Sequence, residues 1–423
     1  MTSTTTNNGT SSSATNDIGV GLISVGWMGK LHSRAYQAVP YVYPETGIRP
    51  RLVHAADTAP DRVVYAREVL GYQRGSSDYR EVLADPEVDV VSICAPNALH
   101  REIGVAAAEA GKHFWIEKPV GRTVTETAAV VAAARAAGTV TSIGYNYRHA
   151  PAVEHSRELI ASGALGRITN VRAVFFSGYG AEPKGALSWR FQRQLAGSGA
   201  LGDLLSHVVD LMQYVVGPMV EVTALTSTIY TERPILPMGS ATHFAVIEDG
   251  ELGPVENEDY AAALVRFADD GRGVGAVGTL EASRTIVGPQ CGLGFEIYGT
   301  DGSLVWNFER MNELRLCLGR GGPHQGYTTV LGNPHLGDYG RFQPGPGIAM
   351  GYDDLKVIEA KKFLVAVTGG ERWNCSVDDA LSAAEVVAAA ERSAADGSWQ
   401  KVPAVPGASF GREPASTPGS SHG

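Results

Sequence analysis

The run Leu-Ile-Ser-Val-Gly-Trp-Met-Gly-Lys-Leu-His at 22–32 nearly spells a loop that cradles phosphate, with Ser24, Gly26 and Gly29 where three glycines are expected. Such a loop needs small residues because the backbone turns sharply, a pyrophosphate approaches closely, and a helix packs onto a strand. Serine is small enough for the turn, and glycine keeps the two stricter places. Trp27 and Met28 stand at the tip, oddly placed for core residues and suited to packing beside a nicotinamide. Asp57 follows 28 residues after Gly29, at the end of an expected strand. A carboxylate there can accept both hydroxyls of a ribose and repel a 2′-phosphate, which favours NAD over NADP, with Arg62 nearby to soften the exclusion. The insert 41–50 explains a spacing longer than the usual value of about 20 residues. A structural turn at 24–29 and a solvent-facing Asp57 are the plainer readings, so the surrounding elements must decide.

Residues 18–145 alternate short apolar runs with alanine-rich stretches, the rhythm of repeated βαβ units on a parallel sheet. Strands are expected at 18–25, 51–57, 88–96, 113–118 and 140–145, with helices at 101–112 and 127–138 that close on glycines suited to a left-handed cap. Ligands in such sheets bind beyond the carboxyl ends of strands, so Ala95, Pro96, Asn97 and His100 should wrap a cofactor. After residue 146 a helix at 151–166 precedes strand-like segments at 168–177, 219–230, 259–270 and 294–308. The apolar spacing from Leu204 to Val216 is helical, as are 353–370 and 378–397. The fold class is therefore α/β: a dinucleotide-binding domain over 18–145 and an α/β domain over 146–403 with a large, open, mostly antiparallel sheet. Residues 1–17 and 404–423 read as solvated tails.

A chain of 423 residues suits two cores, and 44% hydrophobic with 19% charged residues is an ordinary folded composition. The net charge of −10 argues against a main role on nucleic acid, which calls for a concentrated basic face. Cys94, Cys291, Cys317 and Cys375 are scattered without a ligand cluster, so neither a metal nor a disulfide framework is expected. No run of about 18 apolar residues marks a membrane span. The polar N-terminus has no secretory signal pattern, so a cytoplasmic protein is expected.

Glu117-Lys118-Pro119, the stretch 94–112 and the segment 197–211 with Asp203 and His207, taken with the opening loop, resemble the glucose–fructose oxidoreductase, inositol dehydrogenase and MocA (Gfo/Idh/MocA) family of NAD(P)-dependent oxidoreductases. The resemblance runs from Ile18 to about residue 403, and within the family 187–208 looks most like the levoglucosan dehydrogenase-like sugar oxidoreductases. It implies a Rossmann domain with NAD as cofactor, followed by a domain whose open sheet often joins copies into a homodimer or homotetramer. It also implies a catalytic triad of Lys118, Asp203 and His207. The chemistry suits that assignment: His207 is a natural base near neutral pH, and Lys118 can stabilise a developing alkoxide. Asp203, four residues before His207, can share its cleft and orient the substrate or the imidazole. Lys118 and His207 both remain candidates for the base. Glu117 is expected to hold Lys118 or to line the nicotinamide pocket, and Asn146 to join the cofactor site. Tyr147, Arg148, Trp189 and Arg190 offer aromatic faces with adjacent arginines, which suits a polyhydroxylated ring; Tyr352 is a further candidate.

The reaction implied is oxidation of a secondary ring hydroxyl, at C3 of a pyranose or glycoside, with hydride passing to the nicotinamide. The alternative is a glycosidase that uses bound NAD for transient C3 oxidation, elimination, water addition and re-reduction, with no net NADH. A non-catalytic regulator on the same fold is a third possibility.

Overall fold

The computed structural model describes residues 16–235, 245–269, 275–321, 325–370 and 375–410. Most of both expected tails, 1–15 and 411–423, lies outside the described residues. The first sheet contains β1 (Asn16–Ile23), β2 (Ile48–Ala56), β3 (Arg74–Ser76), β4 (Val90–Ile93), β5 (His113–Ile116) and β6 (Thr141–Ile143). Their order is β3-β2-β1-β4-β5-β6, with every pairing parallel. All four residues of β4 are buried, because helices cover both faces of a parallel sheet and leave no solvent face to alternate toward. The strand order reverses between β1 and β4, which opens a crevice at their carboxyl ends.

Three helices frame that crevice: α1 (Trp27–Val42), α2 (Asn97–Glu109) and α3 (Val124–Ala137). Thr123 caps α3 by accepting from the Glu126 amide, and Gly138 ends it at φ 66°. The second sheet has nine strands. Ile168–Ser177 lies near its centre, antiparallel to Cys291–Gly299 and parallel to Val277–Ser283; the other described pairings are antiparallel. Helix α4 (Ser206–Val215), buried along its whole length, packs between this sheet and the helices Pro151–Ala161 and Val377–Asp396.

The chain then departs from a simple division at residue 145. Helix α5 (Tyr352–Val367) returns to pack on α1, and its Val357, Ala360, Phe363 and Leu364 share a core with Val20, Leu22, Tyr36 and Trp115. Helix α6 (Val377–Asp396) lies against both α3 and the strand Met219–Ser227. Residues expected to serve only the second domain thus complete the core of the first.

Candidate active site

The loop after β1 has the geometry of a phosphate cradle. Ser24 sits at φ 76°, the left-handed region that a glycine would occupy without strain, and its amide donates to Ala56 O at 2.8 Å. Gly29 is required by packing, since a Cβ there would lie 2.2 Å from Ser24 O. Gly26 instead faces open space, with nothing within 4 Å of an added Cβ. It also caps α1 with no side-chain hydrogen bond, which leaves first-turn amides available to an anion at the positive end of the helix. Asp57 follows β2, where Oδ2 accepts from Val25 N at 2.8 Å and Oδ1 from Ala59 N at 3.0 Å. Each oxygen keeps acceptor capacity for a ribose hydroxyl. Arg62 stands 3.7 Å from Asp57, half exposed. The residues present therefore fit a dinucleotide. Trp27 is 70% exposed and stacks on Tyr352 with centroids 5.9 Å apart, so the tip forms an aromatic wall beside the partly buried Met28.

Lys118, Asp203 and His207 meet where the two domains face each other. Lys118 follows β5, joined to Pro119 by a cis peptide bond, and its Nζ donates to Asp203 Oδ1 at 2.7 Å and Asp203 O at 2.9 Å. Tyr179 Oη donates to Asp203 Oδ2 at 2.7 Å, and Arg190 Nε lies 4.0 Å from that oxygen. Burial opposes ionisation of Asp203, but the Lys118 and Arg190 charges and these hydrogen bonds hold its carboxyl well below the usual carboxylate range. Both oxygens are thus engaged by the protein, and Asp203 anchors the ammonium instead of orienting the imidazole. A wide π turn, Leu201–Leu205, carries Asp203 into α4. Such turns cluster at functional sites.

His207 is set by aromatics. Its ring meets Tyr147 edge-on at 5.0 Å and Tyr145 at 5.5 Å, with Phe175 tilted at 5.7 Å. Burial, reinforced by the nearby Lys118 ammonium, pushes its pKa well below 6.5 and leaves a neutral imidazole able to accept a proton. Tyr147 is buried as the hub of this cage, which also includes Phe308 and Tyr352. Trp189 and Arg190 remain partly exposed; the guanidinium lies 4.4 Å over the indole, and Arg190 Nη1 is buried without a hydrogen-bond partner among the described residues. Asn146 Nδ2 is likewise buried and unpartnered. Both are donors suited to a ligand.

Other expected residues have structural employment. Arg148 is not at a substrate surface: it is buried, bonded to Asp210 through Nε at 2.9 Å, and 3.6 Å from Asp379. A guanidinium so deep requires carboxylate partners, and these consume it. Glu117 does not hold Lys118; its Oε1 accepts from Lys356 Nζ at 2.7 Å and lies 3.0 Å from His32 Nε2. His100 bridges two carbonyls, Pro119 O at 2.6 Å and Ala95 O at 2.7 Å, and so ties two crevice loops together instead of presenting its ring. Asn97 donates to Ala196 O at 3.3 Å, stitching α2 to the second domain, while Pro96 caps that helix.

Sequence reasoning missed Tyr179, His32 and Lys356. Their partners lie 24, 85 and 239 residues away, beyond any local pattern. A separate cavity of about 310 Å³ is lined by Pro119, Arg122, Tyr145, Ser206 and Glu385 but by none of Lys118, Asp203 and His207, so it is distinct from the place where those three meet. Among the described residues no cluster suits a metal ion, and no helix is long and apolar enough to cross a membrane.

Residues 18–145 match the family model of an oxidoreductase family with an NAD-binding Rossmann fold, and residues 153–305 match the GFO/IDH/MocA C-terminal domain. The chain is 39% identical to levoglucosan dehydrogenase of Pseudarthrobacter phenanthrenivorans over 92% of its own length and 99% of that protein. It is 31% identical to 1,5-anhydro-D-fructose reductase of Ensifer adhaerens over 60% of this chain and 67% of the relative. Levoglucosan dehydrogenase in complex with NADH and levoglucosan superposes with a TM-score of 0.85 at 37% identity, covering 92% of this chain and 100% of that one. An NAD-binding oxidoreductase from Klebsiella pneumoniae gives 0.83 at 33% identity, covering 92% and 99%.

Proposed function

The chain belongs to the Gfo/Idh/MocA oxidoreductase family as an NAD-dependent sugar oxidoreductase, and we propose that it oxidises C3 of a pyranose or glycoside such as levoglucosan. The observation that carries the reading is the pairing of an anchored ammonium, Lys118 on Asp203 at 2.7 Å, with a neutral, caged His207 beside a dinucleotide crevice. NAD, when bound, would supply the hydride acceptor; Ser24, Gly26, Gly29 and Asp57 would hold it, and Asn146 and the Trp27–Met28 tip would line the nicotinamide pocket. Lys118 donates to the substrate oxygen and favours its developing negative charge. His207 takes the hydroxyl proton, because it alone of the two can accept one without first losing its own. The C3–H bond breaks with its electron pair leaving as hydride, and the C–O bond becomes a carbonyl. Arg190 and Trp189 recognise the ring, the guanidinium by donating to a ring oxygen and the indole by covering a C–H face. The similar proteins act, by their names, on levoglucosan and 1,5-anhydro-D-fructose, both polyhydroxylated six-membered rings.

Incubation with NAD and a panel of pyranosides, following NADH absorbance and aglycone release together, tests this reading. NADH should accumulate with levoglucosan or a simple glucoside. Aglycone release without NADH would replace the dehydrogenase with a redox-assisted glycosidase.

A further inference from the structure

Beneath the turn that presents Lys118 lies a charge cluster that the reaction does not use. Lys356 and Glu359 of α5 and His32 of α1 are fully buried, and Glu117 is 8% exposed. Lys356 Nζ lies 2.7 Å from Glu117 Oε1 and 3.0 Å from Glu359 Oε2. The indole of Trp115, two residues before Glu117 on the same side of the chain, is stacked on His32 at 3.5 Å and lies 5.0 Å from the Lys356 ammonium. Tyr352, Lys356 and Glu359 fall at i, i+4 and i+7, so one face of α5 runs from the aromatic wall of the cleft down to this cluster.

We propose that Lys356 is a positioning residue for Lys118: from below, it clamps the Glu117 carboxylate and so fixes the turn from which the ammonium reaches Asp203. The proposal rests on the reaction assigned above. Glu117 has little freedom to settle elsewhere. A Cβ at Gly144 would lie 2.5 Å from each of its oxygens, so the glycine leaves room for the carboxylate alone. The backbone at Glu117 is the last point tied to the sheet, its amide donating to Ile93 O at 3.0 Å, and Lys118 projects from the next residue. A shift of the Glu117 carboxylate therefore passes directly into the Lys118 stem. His32 makes the same carboxylate sense the glycine loop, because α1 begins at that loop. Three elements far apart in sequence converge on one carboxylate adjacent to the catalytic lysine. A pair needed only for stability could be exchanged for apolar residues without altering chemistry, whereas a positioning pair could not.

The test uses Lys356→Met, Glu117→Gln and the double variant in the full chain. Turnover, KM and NAD binding are measured together with the rate at which Lys118 is acetylated, read by mass spectrometry. Lys356→Met is expected to lower kcat on the order of 10²-fold, the cost of a displacement of about 1 Å at a reacting group. KM and NAD affinity should stay within about threefold, and Lys118 should label faster as its hold on Asp203 loosens. The double variant should match Glu117→Gln, because the lysine acts through the glutamate. If Lys356→Met fails to fold, the double variant with Glu359→Gln added, which strands no buried carboxylate of the cluster, decides in its place. Wild-type kcat and wild-type Lys118 labelling in a folded Lys356→Met or double variant would overturn the proposal, as would independent, multiplying losses. Absence of turnover by the parent enzyme on every pyranoside would instead defeat the assigned reaction, while the labelling rates would still judge the clamp.

Discussion

Asp203 spends both oxygens on the protein, one on Lys118 and one on Tyr179, each at 2.7 Å. In the proposed reaction its contribution is to keep an ammonium aimed at the substrate oxygen, so Asp203→Asn, which keeps the shape and removes the charge, should lower kcat on the order of 10²–10³-fold. NAD affinity should be unchanged in a binding titration; a variant with parental kcat would show that the anchor is dispensable. Lys118 and His207 were legible as candidates for proton transfer because their neighbours form a recognisable pattern in sequence. The task of Asp203 was not, since spacing of four suggested contact with His207 and the nearest cation instead arrives from residue 118. Arg148 was misread for a related reason. An arginine after an aromatic run looks like ligand chemistry until Asp210, 62 residues later, is folded against it.

At the level of elements, βαβ rhythm and glycine caps located the first sheet, and alternation located most strands of the second. Helix α5 was legible as a helix but not in its destination. Leu355 through Ala360 are all buried, including Lys356 and Glu359, so the helix has no polar face to reveal what it packs against. Its buried charges give it a pH signature. Burial raises the Glu359 carboxyl from its ordinary 4.5 to about 7, against the pull of Lys356. The folded form therefore binds this proton more tightly than the unfolded chain. That stabilisation is fully present below pH 4.5 and is lost as pH rises through 7. Glu359→Gln has no such loss, so its stability relative to the parent should grow between pH 4.5 and 8 by up to about 3 kcal/mol. Chemical unfolding at the two pH values checks this, and a constant difference would contradict it.

For the whole molecule, the outer face of the nine-stranded sheet bears on assembly. Leu225, Leu264 and Val277 lie on three adjacent strands and share one face, at 57%, 49% and 44% exposure. If copies of the chain associate as the family resemblance implies, this is the face that would meet. Leu264→Asp should shift the protein toward monomer in size-exclusion chromatography with light scattering, and an unchanged mass would place the contact elsewhere. The cleft itself is a product of both domains, because β5 leads into Lys118, the π turn brings Asp203 and α4 brings His207. The central claim, direct hydride transfer from C3 of a sugar ring, is tested most directly with levoglucosan deuterated at C3 and unlabelled NAD. Mass spectrometry should find one deuterium in the accumulated NADH, in step with formation of the ketone; unlabelled NADH, or ketone without NADH, would contradict it.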